Sequence, residues 1–465
     1  MQKPVVFIPG FPATEIIFRP ENWRIFPPAL SDLQDPARKR RLIELLADPH
    51  AEGVEAGKPV LNVLGITKQA ESLYDILSGI GYDTSDNSTE FIPVGWDWRR
   101  GLDDPETVDR VAAAVERLHA HNGRGVVVVV HSTGGLVLRA VLAVRPELAQ
   151  KVEQVLAFGV PWIGTLKALF AIDKGEGVGL PLLGALIGQI TDEESRFITS
   201  RCQAAYDLCP ADPRRTQMPG VNLFMSGGQQ AGPMVETSWI PAGGEFDFMR
   251  ELAANADARF GARDRNFDEL PLTNVVGWGR KTLTRCEPRN GELDFQFSPE
   301  LAGDATAPTV SASWIRGRNV RTFFLPIGVY PAHNIPHPHV RIWDSPPVTQ
   351  FFNEVLLDEE RVPFLAAAAD GDQAIDRSGD SVRIRVSAAD TNGRPLPNCR
   401  AVVELNGRRQ PIPFPDGATR LEFPLSRNNL QPNFGSTRFR FSVNVEWDFR
   451  LGEQRPDPLI VIVNA

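Results

Sequence analysis

Along roughly the first 360 residues, short runs of consecutive apolar residues alternate with stretches whose apolar positions recur every three or four residues. The runs predict strands at Val5–Ile8, Glu90–Val94, Val126–Val130, Gln154–Phe158, Thr273–Val276 and Val320–Leu325. Five consecutive valines at 126–130 suit a strand buried on both faces, as in a parallel sheet. Between such runs lie amphipathic helices such as Pro105–His119, with Val108, Val111, Ala112, Val115 and Leu118 at helical spacing. Strand and helix in alternation predict a mostly parallel sheet flanked by helices. From Trp162 to about Leu270 the alternation stops, and a mostly helical segment is expected to lie over the sheet as a cap.

After Phe364 the pattern changes to period two. Val382–Val386 and Phe439–Trp447 alternate apolar with polar residues, Asn392-Gly393 supplies a hairpin turn, and Leu459–Val463 reads as a last strand. Ala366–Ala369 and the following Asp370-Gly371-Asp372 read as a domain end and a linker. The expected organisation is α/β over 1–365, with the cap at about 162–270, followed by an all-β, immunoglobulin-like sandwich over 372–465.

Composition then removes several classes. Hydrophobic residues make up 42% of the chain, enough for a large core and too many for wholesale disorder. A formal charge of -9 argues against nucleic acid as a partner, and against anionic membranes held by charge alone. No apolar run approaches the ~18 residues of a membrane span. Met1-Gln2-Lys3 leads at once into an apolar strand with no leader-like segment, so a cytoplasmic location is expected. Four cysteines without C-x-x-C spacing predict neither a disulfide framework nor zinc, and are expected to be reduced and buried.

The sharpest chemical feature is the run from Val126 through His131-Ser132-Thr133-Gly134-Gly135 into Leu136–Arg139. A buried strand enters a tight turn bearing one Ser, then glycines, then a helix. This is the setting of a nucleophile elbow, which exposes a strained Ser hydroxyl at the top of a sheet. The usual first Gly of G-x-S-x-G is Val130 here. His131 is expected to be packed rather than to act as a base.

A nucleophilic Ser of this kind takes an acid and then a base later in the chain. After Ser132 the histidines are His333, His337 and His339, in a loop beyond the strand Val320–Leu325. Pro336 and Pro338 keep them off a common helix face and no acidic or Cys cluster accompanies them, so no metal is expected. His337 and His339 read as surface loop residues. Asp304, in the Gly/Pro-rich stretch Gly303–Thr309, holds the acid's place in the order. Backbone N–H groups of Phe11, after the first strand, and of Thr133 are the expected oxyanion donors.

These stretches together resemble the lecithin:cholesterol acyltransferase family of α/β-hydrolases. The matching pieces are Pro4–Gly10, Gly95-Trp96-Asp97-Trp98-Arg99, His131–Gly135, Phe158–Thr165, Gly277-Trp278-Gly279 before Thr282, and Gly303-Asp304-Ala305-Thr306. They occur in family order over about residues 4–357. The resemblance implies an α/β-hydrolase fold, Ser132, Asp304 and His333 as a triad, and Phe11 with Thr133 at the oxyanion hole. Ala305 stands where the family has Gly. Trp23 falls where family members carry a lipid-contacting loop, with ordinary packing as the competing reading. Asp97-Trp98-Arg99 is expected to be a structural ion pair with stacked rings beneath the site.

The expected activity is hydrolysis of a lipid ester through an acyl-enzyme on Ser132, with no cofactor. Two alternatives stay open: acyl transfer to an alcohol, and a non-catalytic binding protein on a hydrolase scaffold. Trp23, Trp162, Leu180 and Leu183 are the substrate or lid candidates. The apolar Gly175–Ile190 is expected either to cover the site and touch the acyl chain or to be buried within the cap. Transient contact of the cap with a lipid surface is the expected partner interaction, and no partner of the C-terminal domain can be named.

Overall fold

The computed structural model describes residues 2–63, 67–68, 70–175, 190–210, 247–260, 270–278, 280–289, 292–297, 303–315, 319–327, 339–344, short pieces between 348 and 357, and the C-terminal strands given below. The six apolar runs become the strands β1 (Val5–Ile8), β2 (Phe91–Pro93), β3 (Val126–His131), β4 (Val152–Phe158), β5 (Leu272–Trp278) and β6 (Val320–Pro326). They form one sheet in the order β2-β1-β3-β4-β5-β6, with every neighbouring pair parallel. This is the central sheet of an α/β-hydrolase-type fold.

Every residue of β3 is buried, which is why its polyvaline run tolerates no polar position. Helix α1 (Pro105–Asn122) buries the predicted stripe, starts on the Asp104 carboxylate bound by the Thr107 N–H at 3.3 Å, and stops at Gly123 with φ +65°. Helix α2 (Gly134–Val144) follows the elbow and is buried over most of its length. Between β1 and β3 the strand order reverses direction. The C-terminal ends of those two strands therefore diverge into a crevice, the place where open α/β sheets bind ligands.

Two insertions interrupt the alternation of strand and helix. After β1 the chain makes a three-stranded antiparallel sheet, Trp23–Phe26, Thr14–Phe18 and Val54–Pro59, with the helix Pro36–Ala47 beside it. After β4 come the helices Leu166–Lys174, Asp192–Thr199, Gln203–Asp207 and Asp247–Phe260, the described part of the expected cap. The Lys39 ammonium pairs with Glu194 at 2.8 Å and ties the two insertions together. Gly175, at φ +80°, lies so close to the Asp192 carbonyl that a Cβ there would overlap it. The described ends flanking residues 176–189 therefore meet, and Leu180 and Leu183 lie outside the described residues. Among the described residues, no helix is long and apolar enough to cross a membrane.

The C-terminal strands form two antiparallel sheets. One holds Phe364–Ala369, Ser381–Ala389 and Arg420–Ser426; the other holds Arg408–Pro413, Arg400–Leu405, Arg438–Glu446 and Leu459–Asn464. The alanine run expected to end the first domain is instead a strand of this region, with Phe364 opposite Ala389 and Ala369 opposite Ile384. A run of small residues shows no alternation for a sequence reading to catch, yet pairs through its backbone as any strand does. The four cysteines are buried and unbridged.

Candidate active site

Ser132 sits at the turn from β3 to α2 with φ +51°, a left-handed conformation that a Ser adopts only when its surroundings enforce it. The glycines around it explain how. A Cβ on Gly134 would lie 2.3 Å from the Ile8 carbonyl oxygen, and one on Gly135 would lie 2.6 Å from the Val160 methyls. Only glycines let α2 approach β1 and β4 closely enough to fold the turn back so sharply. A Cβ on Gly10 would in turn meet the Ser132 Cβ at 2.8 Å, so the loop after β1 runs directly against the serine.

The Ser132 hydroxyl lies 2.8 Å from Nε2 of His339, and Nδ1 of the same ring lies 2.7 Å from Oδ2 of Asp304. Asp304 is fully buried, and its other oxygen accepts the N–H groups of Thr306 (3.0 Å) and Ala307 (2.7 Å). With both carboxylate oxygens accepting, Nδ1 of His339 carries the proton and Nε2 presents a lone pair to the Ser hydroxyl. His339 thus occupies the position expected for His333, and the reading of His339 as a surface residue is corrected: it is 6% exposed. Residues 333 and 337 lie outside the described residues. After His339 the chain enters the buried turn Ile342–Asp344, where Trp343 packs against Phe158 of β4 at 4.7 Å between ring centroids. The apolar Ile342-Trp343 pair was the one sequence signal separating His339 from its neighbours, because a base must sit beside a firmly docked segment.

Ala305, the departure from the family's Gly, adopts φ +78°. Its strain is met by Thr282, whose hydroxyl accepts the Ala305 N–H at 3.0 Å. Two further hydroxyls tie the acid loop and the helix after it to the turn following β4, with Thr165 donating to the Thr306 carbonyl (2.5 Å) and Ser311 to the Gly164 carbonyl (2.7 Å). Sequence reasoning did not single out Thr165 or Ser311 for this task. Trp162, expected among the substrate or lid residues, is fully buried, with its indole N–H on Asn274 Oδ1 at 3.1 Å. It buttresses the turn that holds the acid loop.

Trp23 resolves the same way. It is 7% exposed, donates to Asp32 at 2.9 Å and carries the Arg38 guanidinium 4.4 Å over its ring, so it is a packing residue and not an exposed lipid-contacting one. Asp97 and Arg99 form the expected buried pair, joined at 2.9 and 2.7 Å. The flanking tryptophans support the loop after β1, Trp96 through the Pro9 carbonyl (2.9 Å) and Trp98 through the Thr14 carbonyl (3.1 Å). Phe11 packs edge-on against Trp98 at 5.4 Å.

Among the described residues, the N–H groups of Phe11 and Thr133 have no hydrogen-bond partner. Both residues flank Ser132, one across the turn and one along the chain. A narrow crevice lined by Gly10, Phe11, His131, Ser132, His339 and Trp343 reaches the hydroxyl. The arrangement supplies a hydroxyl with an adjacent base, an acid that orients the base, and unused backbone donors beside a cleft. Those are the parts required for acyl transfer through a serine.

Comparison with known proteins bears out the family resemblance. Residues 60–278 match the model of the lecithin:cholesterol acyltransferase family, a stretch that includes the motifs at Gly95–Arg99, His131–Gly135 and Phe158–Thr165. The chain is 26% identical over 142 residues to a phosphatidylcholine-sterol acyltransferase of Papio anubis, covering 30% of this chain and 31% of that protein. The chain thus spans about a third of that relative's length. Among solved structures, it is similar to the Tle4-Tli4 complex (TM-score 0.41, 16% identity, 75% of this chain and 98% of that one). It is also similar to mature Bacillus licheniformis lipase BlEst2 (TM-score 0.30, 14% identity, 70% of this chain and 83% of that one).

Proposed function

We propose that this chain, lecithin:cholesterol acyltransferase-like over residues 60–278, is a serine hydrolase that cleaves carboxylic esters of lipids. Ser132 attacks the acyl carbonyl while His339 Nε2 takes its proton. The imidazolium, steadied by Asp304, then protonates the leaving alcohol. Water, deprotonated by the same His339, releases the acid from the acyl-enzyme. The N–H groups of Phe11 and Thr133 receive the oxyanion, aided by the N-terminus of α2. No step calls for a metal or an organic cofactor. The C-terminal strands, read as an immunoglobulin-like sandwich, contribute none of these groups.

The observation that carries the reading is the unbroken run of hydrogen bonds from Ser132 through His339 to Asp304, in an elbow held at positive φ. A non-catalytic scaffold has no use for that run together with two unpaired backbone donors beside it. The second reading, transfer to an alcohol, is favoured by the name of the Papio anubis relative. Both share the acyl-enzyme and differ in what attacks it. Incubation with a labelled phospholipid and a long-chain alcohol separates them. Free fatty acid should outweigh the acylated alcohol at modest acceptor concentration; the reverse ratio assigns the protein to transfer.

A further inference from the structure

His131 has no step in that chemistry, yet it is hydrogen-bonded to the backbone of the base. It is the last residue of β3, directly before the nucleophile, and 7% exposed. Its Nε2 lies 2.9 Å from the backbone carbonyl of His339, and its ring packs 5.0 Å from the His339 ring and 5.3 Å from Trp343. Burial, and next the neighbouring His339, push its pKa down to about 3, so it is neutral near pH 7. A carbonyl only accepts, so Nε2 bears the proton and donates it.

His339 lies in irregular chain and no sheet ladder fixes its backbone. Among the described residues, its only backbone hydrogen bond is the one from His131. We propose that His131 is a positioning residue: its Nε2–H pins the His339 carbonyl to the strand that carries Ser132, setting the imidazole in line between Ser132 and Asp304. One strand end then fixes both nucleophile and base, and with them their separation. Catalytic groups need placement to about 0.5 Å, and a bond anchored one residue from the nucleophile is a short route to that.

The inference rests on Ser132 and His339 acting as proposed above, and the test keeps the two apart. His131→Phe keeps a flat ring and loses the donor. Its kcat on a soluble ester should fall about 10- to 100-fold with KM within about twofold, and fluorophosphonate labelling should slow by the same factor. His131→Gln places an amide N–H near the lost Nε2–H and should recover most of the loss. If His131→Phe does not fold, His131→Met, equally unable to donate, carries the same expectation. In a His339→Ala background the His131 substitution should have no further effect on residual turnover, because it acts only through His339. A folded donor-less variant with kcat within about twofold of wild type overturns the proposal. So does a Gln variant no better than Phe, or a loss that persists undiminished without His339. If Ser132→Ala still takes up the probe, the hydrolase reading fails instead, whatever His131 does.

Discussion

Two of the buried carboxylates, Asp97 and Asp304, each lie beside a nitrogen partner and do opposite things. Asp97 meets Arg99 in a two-pronged pair, and the guanidinium spends its remaining reach on the carbonyls of Leu45 (2.8 Å) and Asp48 (2.9 Å). The Arg99 guanidinium leads on only to backbone carbonyls and to no reactive group. Asp304 is as deeply buried, but its partner is an imidazole whose second nitrogen faces a hydroxyl at the end of a cleft. The first pair closes on itself, and the second leaves one valence open. Burial and pairing alone do not mark a reactive site. A partner that can exchange a proton with a nucleophile does.

The largest effects should come from breaking the open chain. Ser132→Ala should lower kcat by about 10⁶-fold, to the background of binding alone, with His339→Ala close behind. Asp304→Asn should cost on the order of 10⁴-fold, since it leaves the imidazole in the wrong tautomer. Melting temperatures should change little for Ser132→Ala. Steady-state kinetics on a p-nitrophenyl ester, beside thermal melts, checks all three.

The closed pair should behave in the converse way. Arg99→Met leaves the buried Asp97 carboxylate only the more distant Arg100 guanidinium (3.5 Å) and should destabilise the chain by about 3 kcal/mol in urea titrations. Turnover per folded molecule should stay within about threefold. A variant that kept full stability and lost turnover would make Arg99 part of the chemistry and erase the distinction.

A smaller effect is written in pH. Between its ordinary value of 6.5 and about 3, residue 131 of an unfolded chain takes up a proton that the folded chain refuses. Stability therefore falls as the pH drops through that window, and the contribution is fully present only above it. His131→Gln removes this titration. Its stability should decline less than the wild type's between about pH 6.5 and pH 4, by on the order of 3 kcal/mol. Parallel acid slopes would place the acid sensitivity elsewhere.

These contrasts also explain which parts could be read from residue order. The six strands and the elbow were legible because each is dictated locally. A valine run needs two buried faces, and the glycines after Ser132 have a close approach to permit. Asp304 was reachable because its place in the chain order constrains it. The base was not. Three histidines fall within seven residues, and nothing in their order says which one reaches Asp304. Trp23 and Trp162 failed for a related reason: a Trp in a loop looks the same whether its indole N–H ends on a buried Asp32 or Asn274 or faces a lipid. The sheet of Thr14–Phe18, Trp23–Phe26 and Val54–Pro59 escaped because its strands are short and its pairings span a helix.

The central claim is that Ser132 is a nucleophile driven by His339. The most direct measurement is covalent labelling by a fluorophosphonate, with the modified peptide mapped by mass spectrometry in wild type, His333→Ala and His339→Ala. One adduct is expected, on Ser132, formed at wild-type rate in His333→Ala and at least about 10³-fold more slowly in His339→Ala. An adduct on any other residue, or rapid labelling that survives the loss of His339, would contradict that claim.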